Sequence, residues 1–377
     1  MRKILAYFKK EAMLTVSLLA ALVSLVITPP SAALLSSIDW KTLATLFMLL
    51  SVLDGFKHEN LFRPVIRLAS KVPNQVGLSF FLVFAVFFSS MFVTNDVSLI
   101  IFVPLTMILF RAGNKEQYIV PVLVLENIAA VRGSLLTPFG SPQNLFLFGK
   151  SGMSAGSFML MMLPLWLGSM VLLSLFILFL HRKNLRETII LTGESTEGEW
   201  KKENRAKRAV YLFLFAVIVT TIVTRTTLWP YVTLFVAAML LIFDRSVFRR
   251  VDYVLLLTFL CFFVFSSSIA AHPAISAFLH KSVAGNEYWW SLALSQVISN
   301  VPASIVLWPF CTNLRALIYG LDTAGLLTVI GSLASVINMR IYLREYPGNG
   351  KKFMLAFEKI CLIFFLIVVV PQWLICR

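Results

Sequence analysis

Two membrane-length apolar stretches in this chain are interrupted in the same way, and few folds tolerate that. The string Leu136-Thr137-Pro138-Phe139-Gly140-Ser141 returns as Leu327-Thr328-Val329-Ile330-Gly331-Ser332, a shared L-T-x-x-G-S pattern inside apolar sequence. Ahead of each copy, a small polar cluster breaks another apolar stretch, near Asn95 and near Asn300. Polar interruptions at corresponding places in two halves are the sequence pointer to a midplane binding site in secondary transporters.

Hydrophobic residues make up 59% of the 377 and charged residues only 14%, with a mean hydropathy of +0.85. Soluble domains carry about 25% charged residues, so an all-α polytopic membrane protein is expected. Spans of bilayer length are predicted at 12–28, 40–54, 118–148, 156–180, 209–224, 228–243, 253–270, 323–343 and 360–375. The opening Met1-Arg2-Lys3 and first apolar run lack a small-residue cleavage site and read as a retained helix. Cys261, Cys311, Cys361 and Cys376 lie in or beside apolar segments without metal-ligand spacing, and read as small buried hydrophobes.

The net charge of +15 suggests a nucleic-acid partner until its distribution is read. With the N-terminus in the cytoplasm, the inner loops collect 24 Lys and Arg and the outer ones six. That bias is the positive-inside signature of a multi-pass plasma-membrane protein, here a bacterial inner membrane. The charge is topological, and no nucleic-acid partner is expected.

Stretches 77–110 and 289–314 hold a polar break at mid-length and read as re-entrant hairpins entering from opposite faces. The chain then divides into a first inverted repeat (1–180), a cytoplasmic linker (181–208), a connecting helix (209–224) and a second inverted repeat (225–377). Each repeat contains a hairpin and a broken helix, 118–148 in the first and 323–343 in the second. The linker reads as soluble and mobile.

The first hairpin turns at Thr94-Asn95-Asp96. An intramembrane carboxylate costs about 2.5–3.5 kcal/mol at a helix centre and marks an ion or proton pathway; Asp96 would also suit the N-cap of the next helix. Gly140-Ser141-Pro142-Gln143-Asn144 reads as a loop opening a half-helix. Gly permits unusual backbone angles, Ser caps, and Pro occupies the first helical position. Half-helix N-termini at mid-membrane suit an anion. The second hairpin turns at Ser299-Asn300, where Val301 takes the place of Asp96, so a cation site is expected on the Asp96 side. Arg132 could pair with Glu126, bind an anion or line the cytoplasmic route; a spacing of six is poor for a same-face pair. The binding residues expected are Thr94, Asn95, Asp96, Thr137, Gly140, Ser141, Asn144, Ser299, Asn300, Gly331 and Ser332, with Arg132, Ser335 and Asn338 as further candidates. No metal site or enzyme motif is found: G-x-S-x-G, the Walker A string and H-E-x-x-H are absent.

At these residues the chain resembles the ion transporter superfamily, which includes divalent-anion symporters, citrate carriers and the arsenite permease group. Thr94-Asn95-Asp96, and Glu126-Asn127-Ile128-Ala129 through Thr137-Pro138-Phe139-Gly140-Ser141-Pro142-Gln143-Asn144, look closest to the arsenite-permease branch. Ser299-Asn300-Val301-Pro302 matches more loosely, and neither hairpin carries the Ser-Asn-Thr of the dicarboxylate branch. The resemblance implies inverted repeats, a site between hairpin tips and unwound helices, elevator-type alternating access and a homodimer. The expected function is secondary transport of a small anion with Na⁺ or H⁺ as coupling ion and no other cofactor. The alternatives are sodium–proton exchange at Asp96 and arsenite-type efflux.

Overall fold

Backbone N–H and C=O groups in hydrocarbon must be satisfied inside the protein, which leaves helices or a closed barrel. The computed structural model describes residues 12–29, 32–59, 61, 63–69, 72–184, 187–188 and 204–377. Among them the regular structure is helical, apart from an isolated bridge between Asn74 and Thr188. The first half runs Ala12–Ile27, Trp40–His58, the pair Gln75–Val93 and Asn95–Ala112, Ile119–Gly133 and Pro142–Ser151 on either side of a break, and Ala155–Leu180. After Arg205–Thr224 come Trp229–Phe243, Tyr253–Ala271 and Pro273–Val283. The pair Glu287–Ile298 and Asn300–Leu307 follows, then Leu314–Ala324 and Leu333–Glu345 around a second break, and Gly350–Cys376.

Six of the described helices are long and apolar enough to cross a membrane. Their outward faces confirm the solvent: Leu160 is 71% exposed, Leu234 69% and Leu366 61%, while Glu126, Arg132 and Asp322 are wholly buried. Leucine outside and charge inside is the reverse of a water-soluble surface.

Several expected boundaries move: the connecting helix begins at Arg205 rather than 209 and the closing one at Gly350 rather than 360, and two shifts bear on the site. The second broken helix starts at Leu314 rather than 323, because Asn313 caps it, accepting from the Ala316 amide at 3.0 Å. The hairpin before it accordingly ends at Phe310, and Asp322 passes from a loop edge into a helix. The two hairpins also differ in reach. The arms of the first have 19 and 18 residues, enough for each to cross a bilayer, whereas those of the second have 12 and 8.

Both hairpins turn on one residue with the same backbone. Thr94 has φ 71°, ψ 157° and Ser299 has φ 69°, ψ 159°, a region that is essentially reserved for glycine and costs about 1–3 kcal/mol otherwise. Thr94→Gly and Ser299→Gly should therefore each hold or raise the melting temperature in detergent while lowering transport. A lower melting temperature in both would show that the hydroxyls, not the turns, matter for stability.

Corresponding elements of the halves pack reciprocally. Ala12–Ile27 lies on Tyr253–Ala271, and Trp40–His58 on Trp229–Phe243. Asn95–Ala112 packs on Leu333–Glu345, as Asn300–Leu307 packs on Pro142–Ser151. The start of the linker, expected to be mobile, is docked on the base of the first hairpin. His181 Nε2 meets Ser79 Oγ at 2.8 Å, Gln75 Nε2 donates to Glu187 Oε2 at 3.0 Å, and Lys115 pairs with Glu187. The Lys115 hydrogen bond holds the Glu187 carboxyl below its ordinary range. Residues 185–186 and 189–203 of the linker, and the opening 1–11, lie outside the described residues.

Candidate functional site

The breaks span residues 134–141 and 325–332, equal in length. Ser141, with extended backbone, accepts from the Asn144 amide at 3.4 Å and starts Pro142–Ser151 with Pro142 at its head, as expected. Ser332 adopts nearly the same backbone before Leu333–Glu345 but makes no cap bond. The two threonines tie each break to its own hairpin. Thr137 Oγ1 donates to the Met91 carbonyl and Thr328 Oγ1 to Gln296 Oε1 at 2.7 Å. The glycines need a correction. Neither Gly140 nor Gly331 has positive φ. A Cβ at Gly140 would stand 2.3 Å from the Ser134 carbonyl oxygen, and one at Gly331 2.3 Å from that of Ala324. Close approach, not an unusual angle, demands glycine in both.

Where the broken helices cross, they enclose polar groups with unused hydrogen-bonding capacity. Arg132 is wholly buried; its Nη2 donates to Thr323 Oγ1 at 3.4 Å, and Nε and Nη1 are buried without a partner. Arg132 forms no ion pair with Glu126, whose Oε1 accepts from Thr106 Oγ1 while Oε2 has no partner. Asp322 lies within electrostatic reach of Arg132. Its Oδ1 accepts from Gln143 Nε2 at 3.2 Å and its Oδ2 is buried without a donor. Asn127 Nδ2 donates to Ser335 Oγ at 3.0 Å and Asn338 Nδ2 to the Leu123 carbonyl at 2.7 Å, so each carbonyl oxygen of these amides stays unpaired. Both amide atoms of Asn144 are buried and unpaired. A buried polar atom without a partner costs about 1–3 kcal/mol, and so many along two packed broken helices is unusual for packing alone.

A profile of the family described as "Citrate transporter" matches residues 4–331. The chain belongs to this family. The inner membrane protein YbiR of Escherichia coli is 34% identical over 314 residues, covering 81% of each chain. An uncharacterized transporter of Methanocaldococcus jannaschii is 29% identical over 306 residues, again covering 81% of each. The protein is thus a membrane transporter and not an enzyme, and the citrate-carrier resemblance in its residues is borne out.

Of the sequence candidates, Arg132 and Asn144 lie at the Asp322–Thr323 end of the second broken helix, whereas Ser335 and Asn338 meet the first broken helix further along, at Asn127 and Leu123. Asn95 and Asn300 are buried at the hairpin tips, where Asn95 Oδ1 accepts from the Asp96 amide at 3.0 Å and Asn300 Oδ1 from Ser299 Oγ at 3.4 Å. No hydrogen bond joins either to Arg132 or Asp322 among the described residues. Thr94, at the first tip, caps nothing with its side chain. Asp96 does not act as the N-cap either: the helix starts at Asn95, and Asp96 sits in its first turn with Oδ1 buried and unpartnered. The carboxylate in electrostatic reach of Asp96 is Asp252, the cap of Tyr253–Ala271.

Asp322 was missed in the sequence, as was Gln143 as its partner. The signal was an acidic residue within the apolar run 314–343, concealed by placing the span's start one residue after it. A cavity of about 200 Å³ opens at the far end of Pro142–Ser151, lined by Lys41, Lys150, Arg225 and Asp39. Lys150 pairs with Asp39 at 3.1 Å, and Arg225 donates to the Phe148 carbonyl. None of the Arg132–Asp322 group lines it.

Proposed function

We propose that the protein carries a small anion, an inorganic oxyanion or a carboxylate, across the plasma membrane by ion-coupled, elevator-type alternating access. The carrying observation is Arg132: a wholly buried guanidinium with Nε and Nη1 unpaired. Guanidinium forks bind carboxylates and oxyanions through two parallel N–H bonds, and citrate, in the family's description, is a carboxylate. The unpaired amide of Asn144, beside Asp322, supplies a further polar contact. Matched hairpin tips and reciprocal packing support two repeats of inverted topology, with the broken helices at their interface. Thr94, Asn95, Ser299 and Asn300 close the site at the tips, and Ser141 and Ser332 head its half-helices.

One observation favours cation–proton exchange as a second reading: the unpaired carboxylate oxygen of Asp96, with Asp252 in reach. Proteoliposomes holding the purified protein separate the two. Uptake of radiolabelled citrate, succinate or sulfate is expected, each competing with the others. Sodium movement with none of the three anions entering would instead establish the exchanger.

A further inference from the structure

Asp322 is a buried acid that no repeated motif contains, set opposite the buried base proposed to hold the anion. Its environment is one-sided. Pro142–Ser151 presents the neutral amides of Gln143 and Asn144 to it. Glu287–Ile298 contributes Tyr288, whose hydroxyl donates to the Val369 carbonyl at 2.9 Å. Gly350–Cys376 contributes Gln372, bonded to Thr323, and Cys376, bonded to the Gln372 carbonyl. On its own helix Tyr319 donates to the Met161 carbonyl at 2.6 Å, and Arg315 is exposed. Asn300–Leu307, packed on the same helix, has no titratable side chain. Arg132 on Ile119–Gly133, which donates to the adjacent Thr323 at 3.4 Å, is therefore the buried cation within reach of Asp322.

We propose that Asp322 holds the coupling proton, taking one H⁺ whenever Arg132 takes an anion and releasing it when Arg132 is empty. This rests on the anion reading above. With the site empty, Arg132⁺ and Asp322⁻ cancel. An anion on Arg132 would leave Asp322⁻ uncompensated, and like charges about 6 Å apart at an effective dielectric of about 20 weaken binding on the order of 100-fold. A proton from the open side of the membrane, added to the carboxylate at Oδ2, removes that repulsion. It leaves to the other side after the anion does, so the proton count closes over each cycle. A metal cation fits the same place badly. It would need a shell of about six oxygens, whereas the neighbours of Asp322 are a guanidinium, the Gln143 amide donor and the single amide of Asn144. An anion of one charge then crosses electroneutrally, and each further charge makes the step electrogenic.

The test uses sodium-free proteoliposomes loaded with a pH-sensitive dye, with labelled citrate and labelled succinate as probes. In the wild type, an acid exterior should raise accumulation of a probe at least 10-fold, and probe addition should drive proton entry. Asp322→Asn should abolish both the gradient stimulation and the probe-dependent proton entry. Asp322→Glu should restore proton entry with a shifted pH profile, which a merely structural side chain would not do. Probe uptake by the wild type without proton entry overturns the proposal, as does wild-type proton entry in Asp322→Asn or a requirement for Na⁺. If Asp322→Asn fails to fold, the wild-type proton signal and the pH profile of Asp322→Glu decide. Entry of neither probe under any gradient strikes the anion reading itself.

Discussion

Arg132→Gln should cut anion uptake in proteoliposomes by 100-fold or more while the melting temperature holds or rises. The two effects come from the same geometry. Nε and Nη1 of Arg132 are buried and bond to nothing in the protein, so replacing the guanidinium breaks none of the hydrogen bonds that hold the fold, and Asp322, losing its counter-charge, can take up a proton instead of staying buried as an anion. Glutamine keeps a donor for the Thr323 hydroxyl, the contact the side chain does make. What disappears is a forked, charge-assisted grip on the anion, and charge-assisted bonds contribute about 1.5–3 kcal/mol each. Two such bonds exceed the 2.7 kcal/mol or so that a 100-fold change represents. Arg132→Lys should recover little, because an ammonium lacks the planar fork. A purely structural arginine gives the opposite pattern: a falling melting temperature, with uptake lost only in proportion to unfolded protein.

The repeated string made the breaks legible, because bilayer physics restricts where polar backbone can lie. It misled on chemistry. Threonine and glycine in L-T-x-x-G-S carry the turn itself, through the Thr137–Met91 and Thr328–Gln296 bonds and the two carbonyl contacts beneath the glycines. Recurrence between halves therefore marked architecture. The groups with free valences differ between the halves: with Gly140 set against Gly331, Arg132 stands where the second half has Thr323, and Asp322 where the first has Val131. Repeat comparison suppresses such residues, since it rewards what is the same. Arg132 was noticed through its charge. Asp322 was lost to a span boundary nine residues late, a shift that hydropathy alone cannot resolve because Leu314-Arg315 begins the helix with a charge. The positive φ of Thr94 and Ser299 was invisible for another reason. Hydroxyl residues seldom adopt that conformation, so nothing in their identity announces it.

Gly140→Ala and Gly331→Ala should each lower the melting temperature by several degrees and reduce uptake below a tenth, and the two losses should be alike. Each added methyl would meet a carbonyl oxygen at 2.3 Å, inside the 3.0 Å that real Cβ atoms essentially never breach. The obstacle is backbone, so no side-chain rotation relieves it. Ser134 lies at the foot of the first break, and the Ala324 carbonyl already accepts from Gln296 Nε2 at 3.1 Å. Overpacking of this kind costs about 1–3 kcal/mol, and uptake should suffer further because the displaced turns set the helices that carry Asn144 and Ser335. Gly168→Ala is the matched control: it lies in Ala155–Leu180 with nothing within 4 Å of the new methyl, and helix propensity favours the change by up to about 1 kcal/mol. Loss at Gly140 with tolerance at Gly331 would show that one break alone shapes the site, and the paired architecture would then have to be abandoned.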